Sequence, residues 1–330
     1  VRIRAPMMRI HTVAAGGGSI LHAEKGRFRV GPDSAGADPG PAAYRRGGPL
    51  TVTDANVMLG KLNPRYFPSI FGPGQDQPLD RETVASKFVD IAATAGEGRS
   101  AEEVAEGFLT IAVENMANAI KKISVQRGYD VTRYLLNSFG GAGGQHACLV
   151  ADALGMEHIL LHPLSGLLSA YGMGLATVTA SRQQGLVRPF GAASREAVAA
   201  LSVELRTAVL TELAEQGVPT EATQTRTKLH LRYDGTDTTL DVPFDGDEDA
   251  ARTAFEAMHK AQFGFITPGK PITVEAVEVE GWDRQAEDSV AEAGLDAERE
   301  AHSDERARFF SGGAWPVSYT HLTLPTILLV

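Results

Sequence analysis

The clearest periodic pattern in the chain follows Ser100. Apolar residues recur there every three or four positions, which is the spacing of one buried helix face. They are Val104, Phe108, Ile111, Ala112, Ala119, Ile120 and Ile123. Ser100 and Glu103 occupy the two positions of a capping box, which closes the N-terminus of a helix. The sequence therefore predicts an amphipathic helix that runs to about Arg127 and ends at Gly128.

An α/β pattern comes next. A short apolar run over Arg133–Ser138 predicts a buried strand, and the glycine-rich loop Gly140–Gly144 follows it directly. Helical spacing resumes over His146–Leu154, Gly155 is typical of a helix C-terminus, and His158–Leu161 predicts another strand. This order indicates a parallel crossover. In such sheets ligands bind at the carboxyl ends of the strands, which is where the glycine loop is expected.

The pattern changes again near Ser194, where helical and alternating segments follow one another. The predicted elements are helices over Arg195–Gln216 and Asp249–Phe263, and strands over Thr227–Tyr233, Thr238–Phe244 and Ile272–Trp282, with a turn at Asp234-Gly235. These segments predict a separate, smaller α+β domain.

The first ninety residues lack long periodic segments and are rich in glycine and proline. Ile10–Ala14 and Phe28–Val30 are strand candidates on either side of a glycine triplet. Residues 31–41 combine three prolines with three glycines, which excludes a regular helix or a central strand. We expect an ordered loop there that either binds a ligand or simply connects its neighbours.

Charge and composition exclude several classes of function. A formal net charge of −10 argues against broad binding to nucleic acid, which needs clustered Lys and Arg. No apolar run is long enough to span a membrane, and we expect a cytoplasmic protein. Cys148 is the only cysteine, which excludes an intramolecular disulfide, and its apolar surroundings predict a small core residue.

Two glycine segments are the candidate ligand-binding elements. The first offers consecutive backbone N–H groups and a hydroxyl that suit phosphate oxygens, although glycine-rich hairpin turns are equally common. In the second, the backbone can approach a nucleotide closely because no Cβ intervenes. The candidates are Gly16, Gly17, Gly18 and Ser19, and Gly140, Gly141, Gly143 and Gly144. Neither segment has the spacing of a P-loop or of a dinucleotide-binding fingerprint.

Few side chains in the sequence are candidates for catalysis or for metal binding. His146, in the first turn of the helix after the glycine loop, is a candidate for acid/base or phosphate contact, and a residue that merely closes the loop is the alternative. Asp33, Asp38 and Asp54 lie in or beside irregular loops and are candidates for holding Mg²⁺. Stabilisation of the local turns is the commoner role for such aspartates.

Several long strings together resemble the hydantoinase A/5-oxoprolinase family, and within it the bacterial ATP-dependent 5-oxoprolinases. The strings are His11–Ile20, Val30–Pro41, Thr51–Asn56, Ile120–Asp130, Ser138–Ala147 and His162–Gly174. The resemblance implies part of an actin/sugar-kinase/Hsp70-like ATPase lobe, with Gly140–Gly144 on the adenosine side and Gly16–Ser19 near the phosphates. It also implies ATP and Mg²⁺ as cofactors and ATP-driven opening of 5-oxo-L-proline to L-glutamate.

The same resemblance implies a small cyclic amide as substrate and a hydantoinase B-type subunit or fused domain as partner. The charge and the lack of a long apolar run predict no nucleic acid or membrane partner. Alternatives within the family are the A subunit of a hydantoinase or of an ATP-dependent ketone carboxylase. A noncatalytic nucleotide-binding scaffold is the alternative from another class.

Two departures from the family shape the expected domain organisation. The family's phosphate motifs lie upstream of its glycine triplet and are not found in this sequence, so we expect a fragment without ATPase activity of its own. The tail after Trp315 does not continue the family pattern and is predicted to be artefactual. The predicted segments are an ATPase-like part over 1–182, a smaller α+β domain over 193–283, an acidic linker and start of a further segment over 284–316, and the tail over 317–330.

Overall fold

The computed structural model describes residues 10–24, 26–95, 98–284 and 303–321, which fall into two compact units. The first unit contains residues 10–125, 130–168 and 303–321, and the second contains residues 126–129 and 169–284. The helices are α1 (Val52–Met58), α2 (Arg81–Ala95), α3 (Ala101–Ile123), α4 (Ala147–Leu154), α5 (Leu168–Leu175), α6 (Arg195–Glu215) and α7 (Glu248–Phe263). The strands are β1 (Ser19–Glu24), β2 (Arg27–Ser34), β3 (Leu136–Ser138), β4 (Ile159–Leu161), β5 (Thr179–Pro189), β6 (Thr223–Tyr233), β7 (Leu240–Phe244), β8 (Ile272–Asp283), β9 (Ser303–Arg308) and β10 (Val317–His321). Within these ranges, no helix combines the length and apolarity needed to cross a bilayer.

Helices α1, α2 and α3 surround the main core of the first unit. Phe88 on α2 and Phe108 on α3 are fully buried there, as is Leu59 directly after α1. Phe28 on β2 packs against Phe108, with the ring centroids 4.6 Å apart. Each such buried ring contributes a large apolar area, so this core fixes the positions of the three helices.

The predicted long helix is confirmed as α3. Its first turn has the expected capping box, in which the Ser100 backbone N–H donates to Glu103 Oε2 and the Glu103 N–H donates to Ser100 Oγ. The helix ends at Ile123, earlier than predicted, and a short 3₁₀ turn over Val125–Arg127 follows it.

One of the two predicted strands beside the glycine triplet is wrong. Residues 10–14 form no strand, and β1 begins after the triplet, at Ser19. It pairs with β2 as an antiparallel hairpin in which Leu21 lies opposite Val30, and both side chains are buried. Residues 10–14 are exposed, so their apolar side chains have no core face to join.

The predicted crossover is confirmed, but its first strand is shorter than the predicted Arg133–Ser138, and only Ser138 in it is buried. Strands β3 and β4 are parallel, with Leu136 opposite Ile159, and α4 connects them. Gly155 ends α4 with a φ of 68°, a left-handed conformation that favours glycine. Helix α4 packs on α3 through a small cluster that includes Val113 and Val150. The glycine loop therefore lies between the carboxyl end of β3 and the start of α4.

The second unit is an antiparallel sheet with helices on one face. Its strand order is β5-β8-β6-β7, and α6 and α7 supply the helical side of the core. Leu229 on β6, Val277 on β8, Val209 on α6 and Phe255 on α7 are fully buried in it. The predicted α+β elements of this region are confirmed, and β5 is an additional strand that the sequence did not predict.

The other face of this sheet is a ladder of ion pairs between β6 and its neighbours. Lys228 and Arg226 both contact Glu280, and Arg232 contacts Glu275. His230 lies between two carboxylates, with Nδ1 2.8 Å from Asp241 Oδ1 and Nε2 2.8 Å from Glu278 Oε2. Opposite charges facing each other across strands stabilise a sheet and fix its register.

We expect this histidine to make the second unit less stable at alkaline pH. Burial alone would lower the pKa of His230, but hydrogen bonds and charge from Asp241 and Glu278 outweigh it and raise the pKa to about 9. Because the unfolded value is about 6.5, the protonated ring stabilises the fold by about 3 kcal/mol below pH 6.5. This stabilisation is lost as the pH rises through the folded pKa.

Urea unfolding on either side of these values, at about pH 6 and about pH 10, measures the effect. A Trp315→Phe background leaves Trp282, on β8, as the only tryptophan and hence the reporter of this unit. His230→Gln is expected to reduce the fall in stability between the two pH values. An equal fall in both proteins would show that His230 is not the titrating group.

The segment after residue 302 packs on the first unit. Strands β9 and β10 pair antiparallel, and the Phe310 N–H donates to the Leu59 carbonyl at 2.7 Å. Phe310 is buried and Trp315 packs edge-on against it. Residues 317–321 of the predicted tail thus form β10, and 322–330 lie outside the described residues, as does most of the predicted acidic linker.

Candidate functional site

Two predicted glycine segments, more than a hundred residues apart in sequence, line one cavity of about 320 Å³. We call it the glycine cavity. Gly16 and Gly17 lie in one wall, and Ala142, Gly143 and the start of α4 in another. The remaining lining residues are Met116 and Ile120 of α3, Leu136, Asn137 and Ser138 of β3, and Phe139. All of these residues belong to the first unit.

The first glycine segment is fixed by backbone hydrogen bonds. The Ser19 N–H closes a turn by donating to the Gly16 carbonyl, and the Thr53 N–H at the start of α1 donates to the Gly17 carbonyl. A Cβ on Gly17 would lie 2.7 Å from Thr53 Oγ1, whereas a Cβ on Gly16 would meet no atom within 4 Å. Gly17 is thus needed for packing on α1, and Gly16 faces open space. Ser19 is buried.

The second glycine segment is a turn that leads into α4. Gly140 has a φ of 89°, and its N–H donates to the Ser165 carbonyl at 2.8 Å. A Cβ on Gly143 would lie 2.9 Å from Ser138 Oγ, while Gly141 and Gly144 have open space at that position. The backbone at this end of the cavity is therefore accessible, and the positive end of the α4 dipole favours an anion there.

The structure places His146 in the wall of the cavity and almost fully buried, at 6% exposure. Burial, and then the charge of Lys61, lower the pKa of His146 to about 4. The imidazole is therefore neutral at pH 7. Burial also lowers the pKa of Lys61, against the opposing charge of Glu106.

Asn56 joins α1 to the glycine turn and was not predicted as a site residue. Its Nδ2 donates to the Val52 carbonyl and to Gln145 Oε1, each at 3.1 Å, and lies 3.5 Å from His146 Nε2. Asn56 Oδ1 and His146 Nδ1 are both buried without a hydrogen-bond partner. Asn56 is fully buried, which is unusual for a polar residue. The signal in the sequence was an asparagine flanked by Ala55 and Val57.

The three candidate metal ligands have other surroundings. Asp33 contacts His22 Nε2 at 2.9 Å, and Asp38 is exposed. Asp54 is fully buried and accepts hydrogen bonds from the backbone of Ala42, Ala43 and Thr51. The described part of the chain contains no group of three or more His, Cys, Asp or Glu side chains that could hold a metal ion. Asp33 and Asp54 thus already have hydrogen-bonding partners in this structure.

The prediction that Cys148 is a core residue is wrong. Its side chain is exposed on α4, because the buried face of this short helix is formed by Ala147, Val150, Ala151 and Leu154. Successive helix positions differ by about 100° in direction, so the residue after Ala147 points away from that face.

Comparison with known proteins identifies the relatives of the chain. It is 44% identical to the 5-oxoprolinase of Saccharomyces cerevisiae over 288 residues, which cover 84% of this chain and 22% of the yeast protein. It is 42% identical to 5-oxoprolinase 1 of Arabidopsis thaliana over 293 residues, or 84% of this chain and 23% of that protein. The chain thus spans about a fifth of the length of these relatives.

Solved structures agree with this relationship. The ATP-dependent caprolactamase from Pseudomonas jessenii matches with a TM-score of 0.77 and 30% identity, over 86% of this chain and 42% of that one. A nucleotide-free acetone carboxylase structure shares the fold, with a TM-score of 0.61 and 22% identity over 93% of this chain and 46% of that one. A family model described as Hydantoinase/oxoprolinase matches residues 1–182, and the chain belongs to the hydantoinase/oxoprolinase family.

Proposed function

We propose that this chain is the nucleotide-holding part of a longer ATP-dependent hydrolase that opens the lactam of 5-oxo-L-proline to give L-glutamate. One observation carries the proposal: Gly16, Gly17 and Gly143, all selected from sequence as nucleotide contacts, line one cavity. Relatives named 5-oxoprolinase at about 40% identity support the substrate, and the caprolactamase likeness supports the wider class of cyclic amides.

The residues that line the glycine cavity suit the chemistry of ATP. Met116, Ile120 and the exposed ring of Phe139 offer apolar contact to a base. The backbone of Gly16 and Gly17 lies in the wall where phosphates are expected, and the N-terminus of α4 adds a favourable field. This assignment corresponds to one half of an actin/sugar-kinase/Hsp70-like ATPase lobe.

A five-membered lactam is stable toward water, so its hydrolysis needs an activating step. ATP, when bound, would supply the phosphoryl group that activates the amide oxygen. The chain's own contribution is positioning, because its backbone donors hold the nucleotide and the neutral His146 adds no charge to the wall. The proposal assigns no metal ligand to this chain.

We also propose that a B-type subunit or a fused domain completes the enzyme. The Pseudomonas jessenii relative is named caprolactamase subunit alpha. The first unit exposes a run of large apolar side chains beside the glycine turn, as a surface that is covered in an assembly would. They are Tyr134, Leu135, Phe139, Leu160, Leu161, Leu164 and Leu167.

ATP turnover tests the function directly. We expect the full-length natural protein to release ADP with 5-oxoproline, and more slowly with hydantoin, caprolactam or acetophenone. The 330-residue chain alone is expected to bind ATP without turnover. Rapid hydrolysis by this chain would contradict the fragment proposal, and no ATP binding would contradict the nucleotide site.

A further inference from the structure

A second cavity of about 400 Å³ lies in the same unit as the glycine cavity. We call it the Arg29 cavity, because Arg29 is the only charged residue among the described residues that line it. Of the lining residues that the structure describes, only Asn115 on α3 has a side-chain amide, and apolar residues such as Phe28 and Ile111 form much of the rest. A mostly apolar pocket with a few polar groups is typical of small-molecule sites.

The two cavities are neighbours along two separate elements. Ala14 lines the Arg29 cavity, and Gly16, two residues later, lines the glycine cavity. On α3, Asn115 lines the first and the adjacent Met116 lines the second. Two residues of extended chain span at most about 7 Å, so parts of the two cavity walls lie within that distance of each other.

The guanidinium of Arg29 is held in place and keeps donors for a ligand. Its Nη1 donates to the Gly31 carbonyl at 2.8 Å, which uses one of its five N–H groups. The nearby carboxylate of Asp33 is paired with His22. That hydrogen bond, together with smaller contributions that include the charge of Arg29, holds the pKa of Asp33 below its usual range.

We propose that the Arg29 cavity binds the lactam substrate, with Arg29 on its carboxylate and Asn115 on its ring amide. This inference rests on the proposed function, since it needs a lactam that is opened beside the nucleotide. Arginine forms short, charge-assisted and often bidentate hydrogen bonds to carboxylates. An asparagine side chain can donate to the lactam oxygen and accept from the lactam N–H, while the apolar walls contact the ring methylenes.

The arrangement predicts selectivity for lactams that carry a carboxylate. 5-Oxoproline has this group, whereas 2-pyrrolidone is the same ring without it. A site in which Arg29 pairs with the ligand carboxylate should bind 2-pyrrolidone less tightly than 5-oxoproline, because 2-pyrrolidone leaves the guanidinium without that partner.

Ligand-observed NMR titration of the 330-residue chain tests this selectivity. Arg29 is solvent-exposed, so we expect Arg29→Gln to weaken binding of 5-oxoproline by roughly 2- to 5-fold and to leave 2-pyrrolidone binding unchanged. Asn115→Leu should weaken both ligands. Arg27→Gln is the matched control, because Arg27 is an exposed arginine on the same strand that does not line the cavity.

Equal binding of 5-oxoproline by the wild type and Arg29→Gln would overturn the proposal, and so would the absence of 5-oxoproline binding to the wild type. ATP binding to the same samples and 5-oxoproline-dependent turnover by the full-length protein are measured separately. If ATP binding and 5-oxoproline-dependent turnover persist while Arg29→Gln does not change 5-oxoproline binding, the proposed subsite is wrong and the proposed function stands. If 5-oxoproline binds through Arg29 but never stimulates turnover, the proposed function is wrong.

Discussion

Replacing Asp54 with alanine is expected to lower the free energy of unfolding of the first unit by about 3–5 kcal/mol. The Asp54 carboxylate accepts from the N–H groups of Ala42, Ala43 and Thr51 at 3.0, 2.8 and 2.7 Å. The Ala42 N–H also donates to the Pro49 carbonyl, so alanine would leave the buried donors of Ala43 and Thr51 without a partner. Each unsatisfied donor costs about 1–3 kcal/mol. It would also remove the cap of α1 at Thr51. Urea unfolding in a Trp282→Phe background, where Trp315 reports on this unit, measures the loss.

Asp90→Ala is the matched control for this prediction. Asp90 is an exposed carboxylate on α2, and its replacement should change stability by no more than about 0.5 kcal/mol. An Asp54→Ala variant as stable as Asp90→Ala would show that the buried hydrogen bonds are not needed. Adding Mg²⁺ tests the alternative that Asp54 is a metal ligand. In that case the stability of the wild type would rise with Mg²⁺ concentration, and that of the Asp54→Ala variant would not.

Periodicity predicted the elements whose burial follows a regular pattern. Helix α3 has one apolar face and a capping box, and in the second unit β6 and β8 alternate buried and polar residues, so local sequence determines each of them. Helix α1 was missed because its seven residues include the buried polar side chains Asp54 and Asn56, which break the apolar stripe. Strand β5 was missed because only Ala180 of its eleven residues is buried.

The candidate site, like the fold, was predictable from the sequence only in part. Glycine-rich segments could be selected from sequence because few other residues allow a backbone to approach a ligand so closely. That Gly16 and Gly143 line one cavity depends on the packing of α3, α4 and the segment before β1, and no local pattern encodes it. The three carboxylates were selected by residue type and by their position in or beside irregular loops, and the tertiary structure gives Asp33 and Asp54 other partners.

Replacing Gly16 with valine is expected to weaken ATP binding by the 330-residue chain at least tenfold, which corresponds to about 1.4 kcal/mol or more. Gly16 lines the glycine cavity, and a Cβ added there meets no protein atom within 4 Å. Its φ is not in the left-handed region, so valine adds no backbone strain of that kind. The branched side chain would instead occupy space that the nucleotide needs. Isothermal titration calorimetry with ATP measures the change, and urea unfolding checks that the fold is retained.

Gly166→Val separates this steric effect from a general cost of adding a side chain. Gly166 is exposed, has open space for a Cβ and lies in the same unit, but it does not line the glycine cavity. It should therefore bind ATP as the wild type does. Gly17→Val is a second comparison, at a glycine without space for a side chain. Its Cβ would lie 2.7 Å from Thr53 Oγ1, so this variant should destabilise the fold in addition to weakening ATP binding. If Gly16→Val binds ATP as tightly as Gly166→Val while both remain folded, the nucleotide does not occupy the glycine cavity.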